Sequence, residues 1–330
     1  MNRNTKRILT TSGIILSGVA LAGLHCYIST KQLTNVALNR HMPNWMYRFR
    51  NLVAGSGSTF TEMAEELSVM ADKFAQGNFE TVSLRSKDGI RLMGHWYENP
   101  SAKRIIVAMH GWRSSWSRDF VAISEFWHNH DCSVLYVEQR GQNASEGEYM
   151  GFGLMERYDC LEWVRWINEN KNSDRLPVYL AGISMGATTV LMAAGLPLPS
   201  NVKGIIADCG FTSPEDIWKH VMEKNIHVPY HPIRRAMADS FCKKKIQSGA
   251  REYSTIEAMR HCRVPVLFVH GTDDHFVPIK MTYENYKACV APKRLFVVPG
   301  AEHGMSYFLN KEAYEREVEA LWDMALESDG

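Results

Sequence analysis

Cysteine is scarce in this chain and badly placed for cross-linking or metal binding. Seven residues, at 26, 132, 160, 209, 242, 262 and 289, are odd in number and widely spaced, with no Cys-x-x-Cys among them. That excludes a disulfide framework and a zinc ribbon, and leaves most of these thiols as small buried hydrophobes. Surplus charge is missing too: Lys and Arg number 37 against 36 Asp and Glu, for a net charge of +1. No global field would draw the chain to nucleic acid, so nucleic acid is not expected as a partner. The only basic run, Lys243-Lys244-Lys245, reads as a solvated helix face. Gly55-Ser56-Gly57-Ser58 lacks a third glycine and a preceding strand, so it is a linker and not a dinucleotide loop. His227 and His231 have a metal-like spacing, but Pro229 between them breaks the helix that would align them, and no carboxylate supports them. Neither a metal nor a cofactor is expected. There is no internal repeat and no low-complexity tract.

What is present is enough apolar sequence for one large core. Of 330 residues 45% are hydrophobic and 22% charged, which suits a single domain of about 250 residues. At the N-terminus, Ile8 to Ile28 is a run of 21 residues without a charge, preceded by Arg3, Lys6 and Arg7. As a helix it would span about 30 Å, the thickness of a hydrocarbon core. Residues 1–30 are therefore expected to be a single-pass signal anchor that makes the membrane a partner and leaves the rest of the chain extracytoplasmic. Lys31, Arg40, Arg48 and Arg50 follow it and keep the charge asymmetry modest, and the cysteine usage suits a reducing side better. Apolar residues continue past Ala20-Leu21-Ala22 to Ile28, which speaks against cleavage there. Residues 31–78 read as a juxtamembrane linker and lead-in. Within them Trp45, Tyr47, Arg48, Phe49 and Arg50 alternate aromatic and basic types, suited to a membrane interface or to packing on the body. Met63, Leu67, Met70 and Phe74 then mark one face of a helix over 61–75.

From residue 79 to 330 strand and helix patterns alternate. Strands are predicted at 81–85, 91–97, 104–109, 133–137, 178–181, 204–207, 264–269 and 294–298, and helices near 118–129, 154–170, 187–194, 279–288 and 311–325. Such alternation predicts an α/β domain, a mostly parallel eight-stranded sheet with helices on both faces and ligands beyond the carboxyl ends of its strands. One interval breaks the rhythm. About 211–263 separates two strands and carries helical patterns of its own, so it is read as a helical cap over the strand ends.

The chemistry centres on Gly182-Ile183-Ser184-Met185-Gly186. Alone the pattern is weak, since chance puts one in about one chain in ten of this length. Its setting carries more: an apolar strand, Pro177 to Ala181, precedes it and a small-residue helix follows. That corner strains the serine backbone and presents Oγ at a helix N-terminus, where negative charge is favoured. A hydroxyl needs a base, and a doubly wound hydrolytic sheet supplies acid and histidine from later strand ends. His303, in Gly300-Ala301-Glu302-His303-Gly304, is the base this order favours. His275 directly adjoins the acid and is awkwardly placed, while His110 and His270 read as structural histidines at strand ends. Of the two aspartates in Thr272-Asp273-Asp274-His275 the second, Asp274, is favoured, with Asp273 as a turn cap and Asp208 as an alternative. A developing oxyanion would be met by the backbone N–H groups of Trp112 and Met185. Tyr149, Phe152 and Trp218 are candidates for lining a substrate pocket.

At these residues the chain resembles the serine α/β-hydrolase superfamily, in its esterase and serine-aminopeptidase-like branch. The likeness covers about 79–326 and is carried by the elbow with His110-Gly111-Trp112, Arg140-Gly141, Ser145-Glu146-Gly147, Asp208-Cys209-Gly210-Phe211-Thr212-Ser213-Pro214, Val264 to Gly271, and Asp274 with Val277-Pro278. It implies the triad Ser184, Asp274 and His303 and the oxyanion donors Trp112 and Met185. Two departures stand out: Gln142-Asn143 where His-Gly is usual, and Glu138 where Asp is usual. The expected activity is hydrolysis of a small-molecule carboxylic ester. A serine aminopeptidase or acyl-thioesterase is the near alternative, and a catalytically silent binding module the distant one.

Overall fold

In a computed structural model, residues 3–42 and 58–327 are described, with side chains over 20–42 and 65–326. The Trp45 to Arg50 stretch and Gly55 to Gly57 lie outside them, as do the side chains of Arg3, Lys6 and Arg7.

Eight strands form one sheet: β1 (Glu80–Arg85), β2 (Arg91–Tyr97), β3 (Arg104–Met109), β4 (Cys132–Glu138), β5 (Val178–Ile183), β6 (Val202–Asp208), β7 (Val266–Gly271) and β8 (Lys293–Val298). Their order is β1-β2-β4-β3-β5-β6-β7-β8. β2 runs antiparallel to both β1 and β4, and all other pairs are parallel. β5 and β7 are buried almost throughout, as expected of parallel strands covered on both faces. Alternation along β3 shows the two layers. Ile105, Val107 and Met109 join one core with Trp163, Val164 and Val190, whereas Ile106 and Ala108 join the other with Phe120, Trp127 and Leu321. The helices supplying those layers are α3 (Trp116–Asn129), α4 (Glu156–Asn170), α5 (Met185–Ala193), α9 (Ile279–Ala288) and α11 (Lys311–Glu327), with α10 (Ser306–Leu309) a single turn before the last. This is the α/β-hydrolase architecture.

The interval 211–263 holds α6 (Pro214–His220), a π turn (Val221–Asn225), α7 (Pro232–Ile246) and α8 (Thr255–Met259). Ile217 and Trp218 of α6 pack with Phe152, Met185 and Phe211, which puts the first cap helix over the carboxyl ends of the central strands.

Two N-terminal features differ from the sequence reading. Helix α1 (Arg3–Leu38) does not stop near residue 30 but continues eight residues into the predicted linker. No proline or glycine interrupts it after Gly23. The Thr30 and Thr34 hydroxyls bond back to the carbonyls of Cys26 and Thr30, and Val36 and Leu38 are buried against the body. Among the residues whose side chains are described, 20–42 and 65–326, no helix is long and apolar enough to cross a membrane. In α2 (Ser58–Ala75) the buried stripe is Leu67, Ala71 and Phe74, and Met70 is exposed. Phe74 stacks edge-on against Phe79 and Tyr136, which fixes the helix's rotation.

Candidate active site

β5 and α5 meet at Ser184, whose backbone sits at φ 57° and ψ −116°. A non-glycine residue there stores about 1–3 kcal/mol of strain. The surroundings hold it: the Ser184 N–H donates to the Asp208 carbonyl at 2.8 Å, and the Ser184 carbonyl accepts from Thr188 N–H at 3.0 Å. The two flanking glycines are forced by contact. A Cβ on Gly182 would lie 2.3 Å from the Gly186 carbonyl carbon, and one on Gly186 would lie 1.8 Å from the Met109 carbonyl oxygen. Backbone thus touches backbone where α5 leaves the sheet.

His303 stands in the turn after β8, and Asp274 in the turn after β7. His303 Nε2 is 2.9 Å from Ser184 Oγ, and His303 Nδ1 is 2.6 Å from Asp274 Oδ2. Asp274 Oδ1 accepts from the backbone N–H groups of Phe276 and Val277 at 3.0 and 2.8 Å. Burial alone would push the Asp274 carboxyl up, but the charge of His303 and hydrogen bonds from His270 and His303 outweigh it and hold the group well below the usual carboxylate range. Burial likewise works against a charged His303, and the adjacent Asp274 carboxylate overcomes it, raising the imidazole well above 6.5. Three residues expected from sequence therefore form one hydrogen-bonded chain.

The neighbours sort out as well. Asp208 is buried, which pushes it up to about 6; it bonds to Ser306 and Tyr314, and no hydrogen bond joins it to His303 among the described residues. His110 is structural, with Nδ1–H donating to the Gly111 carbonyl and Nε2 accepting from Gln139 N–H. His270 does more than sequence indicated. Its Nε2 lies 2.8 Å from the Val277 carbonyl, so that nitrogen carries the proton, and the same N–H lies 3.1 Å from Asp274 Oδ2. Nδ1 then accepts from Thr282 Oγ1 at 2.6 Å. The i, i+4 spacing from His270 to Asp274 was the available signal.

Gly111 lies against the serine: a Cβ there would be 3.4 Å from Ser184 Cβ. Its N–H is held by Asp119 Oδ2 at 2.6 Å, which fixes the turn that carries Trp112 beside the serine. Met185 opens α5, where the first N–H groups have no intrahelical acceptor. A contact absent from the sequence reading braces this turn. The Trp112 indole N–H donates to the Ala37 carbonyl of α1 at 2.9 Å. Arg113, at φ 54°, sends its guanidinium to the carbonyls of Val36, Asn39 and Arg40 at 2.8, 2.5 and 3.0 Å. The carbonyls of Val36 and Ala37 are among those left without an intrahelical donor at the C-terminus of α1, and those of Asn39 and Arg40 lie just beyond it. The departures from the family pattern also have work here: Gln142 Oε1 accepts from Arg113 N–H at 2.6 Å, and Glu138 pairs with His95 at 2.8 Å and with Ala144 N–H at 2.6 Å.

A cleft of about 690 Å³, part of it open to solvent, holds Ser184. Its walls are Leu33, Val36 and Ala37 of α1, Ile217 and Trp218 of α6, Val221 and Met222 of the π turn, and Phe152, Phe211 and Phe276. Phe152 and Trp218 are among its walls. Tyr149 is not among its walls: its backbone bridges to Asn39, its ring lies under the Lys245 ammonium at 4.5 Å, and it packs against the cluster that holds Leu38 and Phe152. Cys209, Asp274 and His303 cluster within 4.8 Å of one another. Burial pushes the Cys209 thiol up to about 11, and the Asp274 oxygens and both His303 nitrogens are already committed to each other and to Ser184, so the trio offers a cation no vacant ligand set.

A model of the prolyl oligopeptidase family (peptidase S9) matches residues 119–328. Among curated proteins, the uncharacterized protein YqkD of Bacillus subtilis (strain 168) is 31% identical over 191 residues, covering 58% of this chain and 62% of that protein. The lysophosphatidylserine lipase ABHD12 of Mus musculus is 26% identical over 208 residues, 61% of this chain and 49% of the lipase. The chain thus spans less than two thirds of the length of either relative. The solved structure of the Pyrococcus furiosus esterase Pf2001 superposes with a TM-score of 0.61 at 19% identity, covering 79% of this chain and 93% of the esterase. The esterase EaEST of Exiguobacterium antarcticum superposes at 0.54 and 16% identity, covering 73% and 98%. At such identities these structures speak for the fold.

Proposed function

We propose, from the premise that this chain belongs to the prolyl oligopeptidase family, that it is a membrane-anchored serine hydrolase cleaving carboxylic esters through an acyl-enzyme on Ser184. The observation that carries the reading is the unbroken chain from Ser184 Oγ through His303 to Asp274, at 2.9 and 2.6 Å, at the foot of an apolar cleft. Ser184 Oγ attacks the ester carbonyl carbon as its proton passes to His303 Nε2. The N–H groups of Trp112 and Met185 take the charge that develops on the carbonyl oxygen. The imidazolium, held by Asp274, returns the proton to the departing alkoxide. Water, deprotonated by His303, then frees the acid and restores the serine. Anchoring by residues 8–28 is supported by the absence of charge across them and by their place within α1, and Arg3, Lys6 and Arg7 argue for an extracytoplasmic body.

The family name favours a peptidase as second reading, in which the site would hold a peptide N-terminus. Against it, the residues lining the cleft include no charged side chain to pair with an amine. An acyl-thioesterase would use the same groups. A panel of p-nitrophenyl esters, acyl thioesters and aminoacyl amides separates the three, with esters expected to turn over fastest; faster amide turnover would overturn the esterase reading.

The brace between the oxyanion turn and α1 makes a second prediction. Arg113→Ala leaves the triad in place but loosens the amide of Trp112. Since loss of one oxyanion donor costs about 10²–10³ in kcat, partial displacement should lower kcat about tenfold to a hundredfold with KM for a short ester little changed. Steady-state kinetics on p-nitrophenyl acetate check it, and an unchanged kcat would show that the brace is not needed.

A further inference from the structure

Helix α1 is both the continuation of the charge-free run and a wall of the cleft. Residues 8–28 carry no charge, and the helix goes on without a break to Leu38, placing Leu33, Thr34, Val36 and Ala37 against the space above Ser184. At a rise of 1.5 Å per residue, Leu33 lies about 8 Å beyond Ile28 and Ala37 about 14 Å beyond it. If residues 8–28 fill a hydrocarbon core, the headgroup layer takes up about 5–8 Å on that side. The cleft would then open at the outer edge of the headgroups.

No flexible spacer holds the body away from that level. The cap helix α7 is clamped to the turn where α1 leaves the charge-free run: the Arg234 guanidinium donates to Ser29 Oγ and Thr30 Oγ1 at 3.1 and 3.0 Å. The Tyr27 and Phe241 rings meet edge to face at 5.4 Å, and Cys26 Sγ lies 3.6 Å from His231 Nε2. Just outside this clamp Leu21, Leu24 and Ile28 of α1 and Ile233 of α7 are exposed, an apolar skin on both helices. Single exposed apolar residues are ordinary, but here they adjoin a charge-free helix and a cleft with apolar walls.

We infer that the substrate is a bilayer-resident ester with one fatty chain and a polar alcohol. Its chain would enter between α1 and the first cap helix with the π turn, and its ester carbonyl would reach Ser184 without leaving the interface. The cleft beside Ser184 is one continuous space with apolar walls, which suits one acyl chain and not a polar one. This rests on the esterase reading above and adds to it the class of substrate and the route by which it arrives.

The test uses the full chain reconstituted into phosphatidylcholine vesicles, with monooleoylglycerol in the bilayer and p-nitrophenyl esters in solution. Turnover of monooleoylglycerol should follow its mole fraction in the bilayer and fall when the vesicles are diluted with further phosphatidylcholine at constant bulk concentration. Among the soluble esters, kcat/KM should rise about fourfold per added methylene until the cleft is full. Leu33→Trp, which narrows the α1 wall, should lower the ratio of dodecanoyl to acetyl turnover about sixteenfold, the equivalent of roughly two methylenes. Val36→Thr, of nearly the same shape, should lower that ratio in the same direction and covers the case in which the tryptophan variant does not fold. Turnover that tracks bulk concentration alone, or a ratio unmoved by both variants, overturns the inference while leaving ester hydrolysis standing. Failure of the wild type on every ester would instead remove the esterase reading itself.

Discussion

Replacing Ser184 with alanine is expected to lower kcat about 10⁶-fold and to abolish covalent labelling by a fluorophosphonate. The size of the effect follows from the site being a unit: without Oγ the His303–Asp274 pair has nothing to activate, and only the oxyanion amides and substrate binding remain. The fold should not notice. Ser184 holds its strained φ of 57° through its backbone, with its N–H on the Asp208 carbonyl, and alanine adopts that conformation at a similar cost. Its side chain makes one hydrogen bond, to His303, so the thermal midpoint should stay close to that of the native chain. Mass spectrometry of the labelled chain checks the assignment, since the probe should sit on the peptide containing Ser184. Equal labelling of the native and variant chains would mean that another residue is the nucleophile.

How much of this was legible in the sequence depends on how far apart the partners lie. The elbow could be read because a strand, a turn and a helix follow one another within about fifteen residues, each with its own pattern. Asp274 and His303 could be read because each ends a strand, and the fold delivers strand ends to one edge. The brace on the oxyanion turn could not. Trp112 and Arg113 bond to carbonyls of Val36, Ala37, Asn39 and Arg40, and a backbone acceptor leaves no mark on residue type. Residues 31–38 read as linker in the sequence because the helix's buried face is partly polar here: Thr34, like Thr30 before it, is buried and bonded to its own helix, and Thr30 also to Arg234. Tyr149 and Phe152 differ by three positions and pack on one apolar cluster, yet only Phe152 lines the cleft while Tyr149 lies under Lys245, the loop turning at Phe152, φ 53°, and Gly153, φ 92°. Local composition does not predict which of the two reaches the cleft.

Asp274→Asn should cost about 10⁴ in kcat, more than loss of a single hydrogen bond explains, because it reverses a proton's position. Oδ1 accepts from two backbone N–H groups, those of Phe276 and Val277, so an asparagine must keep its carbonyl oxygen there. Its NH₂ would then occupy the place of Oδ2, facing His303 Nδ1 at 2.6 Å and His270 Nε2–H at 3.1 Å. Val277's carbonyl and Thr282 fix the His270 tautomer, so His270 cannot adapt. His303 can, by moving its proton from Nδ1 to Nε2, and Nε2–H can no longer accept the Ser184 proton. The pH profile gives an independent reading. Asp274 raises His303 above 6.5, and the base works only when neutral, so native kcat/KM should fall as pH drops through an ionisation above 6.5. Without the carboxylate, burial is the main influence left and favours the neutral ring, so the residual activity of the variant should keep its plateau to lower pH. Profiles of kcat/KM on p-nitrophenyl acetate for both chains decide it. A limb at the same pH in each would mean that Asp274 does not set the ionisation of His303, and the role given to it here would fall.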